Sequence, residues 1–529
     1  MKRFLAFVPP IAIAILAMSR PAATAANGDR PDDKAADNAI AHVLNRIAFG
    51  PRPGDVARVR AIGVERYIDL QLHPERIEDA GMAARLSGLS SIGMSSREIA
   101  QVYELPQLQA RRERKQNANG SQEELPKPDP LQQKANGVIV ELAGQKVLRA
   151  IYSERQLQEV LTDFWFNHFN VDARKGPGRF LLTEYEREAI RPHVLGKFRD
   201  LLEATAKSPA MLFYLDNWMS ASPESGTEVG RRFRRPLSGT EVGRFDKRPP
   251  SPLQGKNPRK GLNENYAREL MELHTLGVDG GYTQEDVTEV ARAFTGWTID
   301  RPRQGGGFVF NPRLHDTGEK VVLGRVLKPG GGESDGRQVL DILAKEPATA
   351  RFIATKLARR FVSDTPPQAL VDRAAARFRA TDGDLREVTR TILTSPEFLT
   401  PDAYRAKVKT PFEFVVSAAR AIDADVREAP PLVRQLQQLG MPLYQCQPPT
   451  GYKDTADAWV NTGALVSRMN FALTLAGNKF RGMFVTTLPP ADQILAGDLS
   501  ETTRATIAKA ADPAQMAALT LGSPEFQRR

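Results

Sequence analysis

The chain has 529 residues, of which 41% are hydrophobic and 26% are charged, and its formal net charge is +10. This composition is typical of a folded globular protein and excludes a disordered chain, while the length exceeds what one compact core usually supports. We therefore expect two closely packed lobes. The single cysteine, Cys446, excludes an intrachain disulfide, and we expect it to act as a small buried hydrophobe.

The N-terminus carries the three parts of a secretory signal peptide. Lys2 and Arg3 precede an apolar stretch, and the small residues 23–25 form a cleavage signal. We predict a signal peptide over 1–25 and an exported protein of the periplasm or the extracellular space. A membrane anchor is the alternative, which Pro9 and Pro10 disfavour. No later segment is apolar enough to span a bilayer, and this compartment argues against a nucleic-acid partner.

The remaining sequence predicts a mostly α-helical protein. A polar leader (26–35) precedes an N-terminal helical lobe (36–219) that contains a polar insertion near 112–135. A basic Pro/Arg-rich loop (220–260) then leads to a central and C-terminal helical lobe (261–529). The one β-hairpin is predicted near 305–325, where the apolar segments 308–310 and 320–323 flank a turn.

The basic loop contains a near-duplication, SGTEVGR at 225–231 and again at 238–244. Its arginines and lysines are suited to an anionic polymer as partner, whereas a solvated loop is the structural alternative. The duplication lies among prolines, which indicates expansion of a loop rather than a structural repeat.

The helix predicted over 154–170 is apolar around most of its circumference. A narrow polar stripe of Glu159, Asp163, Asn167 and Asn170 runs along the remainder. Buried carboxylates and amides need partners, so the stripe either lines a pocket or fixes the packing of the helix. Asp163 and Asn167 are therefore candidate catalytic residues.

A second helix, predicted over 262–276, has a charged face. On an α-helical wheel Glu264, Arg268, Glu269 and Glu272 lie on one side, together with Asn265. These carboxylates are candidates for acid/base catalysis or for binding a hard cation. The alternative is a set of surface ion pairs at i, i+4 spacing. His274 points to the apolar side, which predicts a packed histidine.

A third candidate follows the predicted strand at His315 and Asp316. Loops often carry functional residues, and both side chains are metal ligands in other proteins. Adjacent side chains in an extended segment diverge, so a metal site also needs a carboxylate from elsewhere. Glu269 or Asp163 could supply that ligand; we predict Glu269, with a divalent metal as the cofactor to test.

Several segments together resemble the bacterial domain-of-unknown-function 1800 family. They are HVLNRIAFGPRP at 42–53, DFWFNHFNV at 163–171, NENYARELMELHTLGVDGGYTQEDVTEVARAFTGW at 263–297, HDTGEKVVLG at 315–324 and PATARFIATKLARRFV at 347–362, with Gly451, Tyr452, Trp459 and Arg468. The resemblance implies an exported bacterial protein, often encoded beside an exported protein similar to alkaline phosphatases and sulfatases. It supplies no catalytic residues.

Two functional interpretations follow from the sequence. The first is a periplasmic or surface hydrolase that acts on an envelope or extracellular polymer. The second is a non-enzymatic helical scaffold that docks the phosphatase/sulfatase-like partner. An enzyme should gather its polar residues in one concave site with shifted pKa values. A scaffold should disperse them as ion pairs and expose an apolar patch.

Overall fold

The computed structural model describes residues 31–117, 130–223 and 261–529 and is mostly α-helical, as predicted. Four predicted features lie outside these ranges: the signal peptide, residues 26–30 of the leader, the centre of the polar insertion and the basic loop from residue 224 onward. In the first range the α-helices are α1 (Pro31–Ile47), α2 (Asp55–Ile62), α3 (Val64–Gln71), α4 (Gly81–Leu86), α5 (Ser96–Ile99) and α6 (Leu105–Asn117).

The second range contains the helix with the predicted polar stripe. Its α-helices are α7 (Pro130–Tyr152), α8 (Gln156–His168), α9 (Gly178–Glu184), α10 (Phe198–Lys207) and α11 (Pro209–Tyr214). The third range contains α12 (Glu264–Glu269), α13 (Gln284–Ala293), α14 (Glu333–Lys345), α15 (Pro347–Phe361), α16 (Gln368–Ala380), α17 (Leu385–Leu393), α18 (Pro411–Ala421), α19 (Pro430–Gln438), α20 (Thr462–Ala476), α21 (Ala491–Ile494), α22 (Glu501–Ile507), α23 (Pro513–Gly522) and α24 (Pro524–Gln527).

Several helices contain or adjoin a wider, π-helical turn. These turns span Ala100–Glu104, Tyr185–Ile190 and Leu270–Thr275, and the last of them continues α12 directly. Short 3₁₀ turns span Pro74–Arg76, Arg191–His193, Asn217–Met219, Pro302–Gln304, Pro396–Phe398 and Ala456–Ala458.

The sequence signals for helix starts correspond to real caps. Thr283 and Asp286 form a reciprocal capping box at the start of α13. Ser395 and Ser523 each accept a hydrogen bond from the backbone amide three residues later, with proline at the first position of the turn or helix. Local hydrogen bonding alone explains these three helix starts.

The predicted β region is present, but its strand pairing differs from the prediction. β1 (Trp297–Ile299) pairs with β2 (Phe308–Phe310), and β3 (Lys320–Val322) pairs with β4 (Arg325–Leu327), both antiparallel. A third pair joins β5 (Asp425–Val426) to β6 (Met483–Phe484).

The turn between β3 and β4 explains the difference in pairing. Leu323 and Gly324 both have positive φ, at 50° and 73°, which is the geometry of a two-residue hairpin turn. Leucine is an unusual residue at such a position, so the sequence carried no turn signal there. The segment 308–310 pairs instead with the strand that precedes it.

Buried hydrophobic side chains from most of the described chain form one continuous core. Helix α8 lies within it: Trp165 is fully buried, and its ring centroid lies 6.1 Å from Phe169 and 6.0 Å from Phe198. The end of α8 also contacts α15, where the rings of His168 and Phe352 are 6.1 Å apart. Among the described helices, none combines the length and hydrophobicity of a membrane span.

Candidate functional site

The C-terminal end of α8 holds the loop formed by residues 446–455. Asn167 donates from Nδ2 to the Tyr452 carbonyl at 2.8 Å and accepts from the Tyr452 amide at 2.7 Å. Asn170 donates to two further loop carbonyls at 2.9 and 2.8 Å. Both asparagines therefore satisfy backbone groups that would otherwise be left unpaired beside the core.

Gly451 allows this loop to approach α8 closely. Its φ is +72°, and a Cβ atom built on it would lie 2.2 Å from the Asn167 carbonyl oxygen. A side chain here would meet both an unfavourable backbone conformation and a fixed backbone atom. The path of the 446–455 loop thus depends on a glycine at this position.

The polar stripe predicted along α8 is present, and its carboxylates have cationic partners. Glu159 pairs with Arg191 at 2.7 Å, and Asp163 pairs with Lys146 at 2.6 Å. Asp163 and Asn167 line a cavity of about 580 Å³. Other side chains around it include Lys146, Asn170, Arg360, Tyr444, Tyr452 and Asp454.

The helix predicted over 262–276 is α12 followed by its π-helical turn. The Thr275 hydroxyl donates to the Leu270 carbonyl at 2.8 Å, across the wider turn. A π-helical turn moves residues away from the positions that an α-helical wheel assigns to them. Of the charged face predicted from the wheel, only Glu272 lies within this turn, while Glu264, Arg268 and Glu269 keep their α-helical positions.

The members of this face have different partners. Glu264 accepts from Gln284 Nε2 at 2.9 Å, and Arg268 donates to Gln284 Oε1 at 2.6 Å. Glu272 accepts from the Tyr282 hydroxyl at 3.2 Å. These three residues therefore form hydrogen bonds with the neighbouring α13 region, and Glu269 points elsewhere.

Glu269 lines an open pocket of about 1050 Å³, which we call the Glu269 pocket. Burial raises the pKa of the Glu269 carboxyl; repulsion from Glu272 adds to this shift, and Arg268 opposes it. The other lining residues are Asp172, Arg174, Lys175, Tyr214, Leu215, Asn265, Gln447 and Pro449.

Asp172 is the second carboxylate of the Glu269 pocket. It is buried, and it accepts from Arg174 Nε at 3.0 Å and Nη2 at 2.9 Å in a bidentate pair. The Tyr214 hydroxyl donates to the Gln447 carbonyl at 2.6 Å, which ties α11 to the 446–455 loop. The pocket thus contains one carboxyl group whose pKa burial raises and one that forms a bidentate pair with a guanidinium.

His315 and Asp316 diverge, as their adjacency in the chain predicted. His315 is buried; its Nδ1 lies 2.8 Å from the Thr295 carbonyl and its Nε2 3.2 Å from Asp335 Oδ2. Asp316 faces the other way and accepts from Arg292 at 3.0 and 3.1 Å. The two side chains have different direct partners, and Lys320 Nζ lies between the two groups, 2.8 Å from Asp335 Oδ2 and 3.7 Å from Asp316 Oδ1.

The predicted metal ligands are not brought together. In the part of the chain that the structure describes, no group of three or more His, Cys, Asp or Glu side chains is arranged to hold a metal ion. His315 and Asp316 lie in networks with Asp335 and Arg292, whereas Glu269 lines its own pocket. The combination of His315, Asp316 and Glu269 does not form a coordination site in this structure.

A cleft that the sequence analysis missed lies beside His168. Lys356 Nζ is 2.8 Å from His168 Nδ1, and both residues line a cleft of about 810 Å³ that we call the Lys356 cleft. Burial and the nearby Arg359 lower the pKa of Lys356 to about 8. The other lining residues are Phe164, Asn167, Arg359, Thr450, Tyr452, Lys453, Asp454 and Thr455.

A helical wheel of 347–362 contained a signal for this lysine. Lys356 lies next to Leu357 and three residues after Ile353, both fully buried, so it borders the core face of α15. Asp172 had no such signal, because it lies beyond the end of α8, where a helical wheel does not apply. His274 and Cys446 are buried, as the sequence predicted.

Comparison with known proteins identifies a family but no activity. The profile of the family described as Protein of unknown function (DUF1800) matches residues 42–528. No curated protein and no solved structure matches the chain. The segments that carried the resemblance contribute to the Glu269 pocket and the Lys356 cleft. Since the match covers nearly the whole sequence, the chain belongs to the DUF1800 family.

Proposed function

We propose that this protein is an exported hydrolase that cleaves glycosidic bonds in an envelope or extracellular polysaccharide. Glu269 serves as general acid, and Asp172 serves as the ionised carboxylate. One observation carries the proposal: two carboxyl groups line the same open pocket, Glu269, whose pKa burial raises, and Asp172, which forms a bidentate pair with Arg174. Two carboxyl groups in different environments within one pocket are the arrangement that glycoside hydrolysis uses.

The chemistry requires this division of roles. A protonated carboxyl donates its proton to the leaving oxygen, while a carboxylate activates water or attacks the sugar carbon. Burial raises the pKa of Glu269, so we assign this residue as the proton donor. Asp172, beside the positive charge of Arg174, is assigned as the carboxylate. Water completes the hydrolysis, and no redox cofactor takes part.

The pocket also suits a polymer. Its volume of about 1050 Å³ is open to solvent, and Asn265 and Lys175 offer hydrogen-bond donors to sugar hydroxyls. Export rests on the signal-peptide pattern at residues 1–25. An anionic polymer at the basic 220–260 segment stays a prediction and is consistent with a charged polysaccharide as substrate.

The test is the release of reducing ends from purified envelope and extracellular polysaccharides, both neutral and anionic, by residues 26–529. Glu269→Gln and Asp172→Asn should each abolish release. Glu285→Gln makes the same charge change at an exposed site on α13 and should leave the rate unchanged. Full activity in Glu269→Gln, or no release from any polysaccharide, would overturn the proposal.

A non-enzymatic docking role is the second candidate, because one helix exposes an apolar surface. On α20, Val466 is 56% exposed and Leu473 is 44% exposed, and Leu465 lies beside them at 46%. Large apolar patches on a soluble protein commonly mark binding surfaces. The partner on this proposal is the exported phosphatase/sulfatase-like protein.

Co-purification with that partner tests the docking role. Val466→Asp and Leu473→Asp should each remove the partner, whereas Val278→Asp, at a separate site that is 68% exposed, should retain it. Retention of the partner by both α20 variants would contradict the docking role. Failure of the docking prediction would not affect the hydrolase proposal, since α20 contributes no residue to the Glu269 pocket.

A further inference from the structure

The pairing of His168 and Lys356 determines which atoms carry protons. His168 Nε2 lies 3.1 Å from the His274 carbonyl oxygen, which can only accept, so Nε2 bears the hydrogen. His168 Nδ1 then presents a lone pair to Lys356 Nζ at 2.8 Å. Burial, together with Lys356 and His274, lowers the pKa of His168 well below its usual value, so this histidine is neutral.

Lys356 has no anionic partner at close range. Among the residues that the structure describes, no carboxylate oxygen lies within 4 Å of its Nζ, and its nearest polar contact is the neutral His168. Burial is the largest cause that lowers the pKa of Lys356 to about 8, and Arg359 adds to it while Asp454 opposes it. A substantial fraction of the lysine is therefore the free amine near pH 8, which is the nucleophilic form.

The surroundings of Lys356 select a particular ligand. Arg359 lies one helical turn further along α15, and Lys453 lines the same cleft. Phe164 and Tyr452 supply aromatic surface, and the cleft has room for a small molecule. Its lining set shares no residue with the Glu269 pocket.

We propose that Lys356 is an imine-forming lysine, and that the Lys356 cleft binds small aldehydes or ketones that carry a carboxylate or phosphate group. The Nζ atom attacks the carbonyl carbon, and Arg359 and Lys453 bind the anionic group. This is an activity at a second site, separate from polysaccharide hydrolysis.

The step balances without an oxidant or a reductant. The amine nitrogen forms a bond to the carbonyl carbon while His168 Nδ1 accepts a hydrogen bond from the nitrogen. The two protons of the amine pass in turn to the former carbonyl oxygen, and the C–O bond then breaks, so the products are one imine and one water. His168 keeps its Nε2 hydrogen on the His274 carbonyl throughout, which holds the ring in the accepting tautomer.

The test is reductive trapping on residues 26–529 with glyoxylate and cyanoborohydride, followed by mass spectrometry of proteolytic peptides. Lys356 should be modified on the order of tenfold faster at pH 7.5 than the exposed Lys345, because more of it is unprotonated. Mapping on the unaltered chain does not depend on whether a variant folds. Lys356→Arg should lose the adduct.

Two comparisons test the geometry of the cleft. Arg359→Gln should slow modification by glyoxylate and leave modification by the neutral acetaldehyde unchanged. Lys409 is fully buried with a pKa lowered to about 7, and it lines a smaller cavity of about 310 Å³. Equal modification of Lys409 and Lys356, or of Lys345 and Lys356, would overturn the proposal.

Discussion

The Glu269 pocket and the Lys356 cleft respond to the same physical cause in opposite ways. Burial disfavours the charged form of both groups, so it raises the pKa of Glu269 and lowers that of Lys356 to about 8. A neutral carboxyl is a proton donor, whereas a neutral amine is a nucleophile. One packing effect therefore produces two kinds of chemistry, according to the residue type that is buried.

The two regions also differ in the partner beside the buried group. The Glu269 pocket contains Asp172, which forms a bidentate pair with Arg174. The Lys356 cleft instead offers the neutral ring of His168. Both regions contain residues of the 446–455 loop. A change to the loop should therefore affect both regions together, whereas a change to one buried group should affect only its own region.

The largest effect should come from Glu413→Gln, which removes a buried carboxylate. Glu413 pairs with Arg360 and with Arg529, and its loss leaves Arg360 without its carboxylate partner and Arg529 with only Asp454, at 3.7 Å. We expect the free energy of unfolding to fall by about 3–5 kcal/mol, as measured by urea denaturation at pH 7. Glu397→Gln, in the more exposed pair with Arg373, should cost less than about 1 kcal/mol.

Gly451→Ala should disturb both regions at once. The new Cβ would lie 2.2 Å from the Asn167 carbonyl oxygen at a φ of +72°, so we expect a loss of about 3 kcal/mol in unfolding free energy. Polysaccharide hydrolysis and Lys356 trapping should decline together. The matched control is Gly440→Ala, where φ is +85° but no atom lies within 4 Å. Equal losses in both variants would show that backbone strain alone, rather than contact with α8, is responsible.

Lys356→Met should change how stability depends on pH. The pKa of Lys356 falls from 10.5 in the unfolded chain to about 8 in the fold, so the unfolded chain binds more protons between these values. The stability of the unaltered protein should therefore rise with pH across that window. Below the window, the full cost of burying the charged lysine is present. The variant should lack this rise and should be more stable at pH 7 by at most about 3 kcal/mol. Urea denaturation from pH 7 to 10.5 measures this, with the exposed Lys345→Met as control.

Glu269→Gln should give the smallest change, with the opposite pH dependence. The folded pKa of Glu269 is raised above the usual 4.5, so its contribution to stability is fully present below that value and is lost as pH rises through the folded pKa. The variant should lack this loss and should be slightly more stable than the unaltered protein at pH 7. Denaturation between pH 4 and pH 7 is the measurement, and Glu285→Gln should keep the unaltered slope.

Part of the candidate site was accessible from the sequence. The polar stripe on α8 was predicted, because a helix that is apolar around most of its surface must bury the few polar residues it carries. Glu269 was predicted within a charged face, but the wheel also grouped it with Glu264 and Glu272. Glu264 lies five residues before Glu269 on the regular helix, which already turns the two side chains apart. Glu272 lies within the π-helical turn, and no residue type in that segment predicts such a turn.

The sequence by itself determined the helical class and the helix starts at Thr283, Ser395 and Ser523, because periodicity and caps depend on residues close in the chain. Only the tertiary structure decided that Lys356 meets His168, since 188 residues separate them. It likewise decided which carboxyl shares a pocket with Glu269. Periodicity reports which face of a helix is buried, whereas the shift in a buried group's pKa depends on the atoms packed against that face.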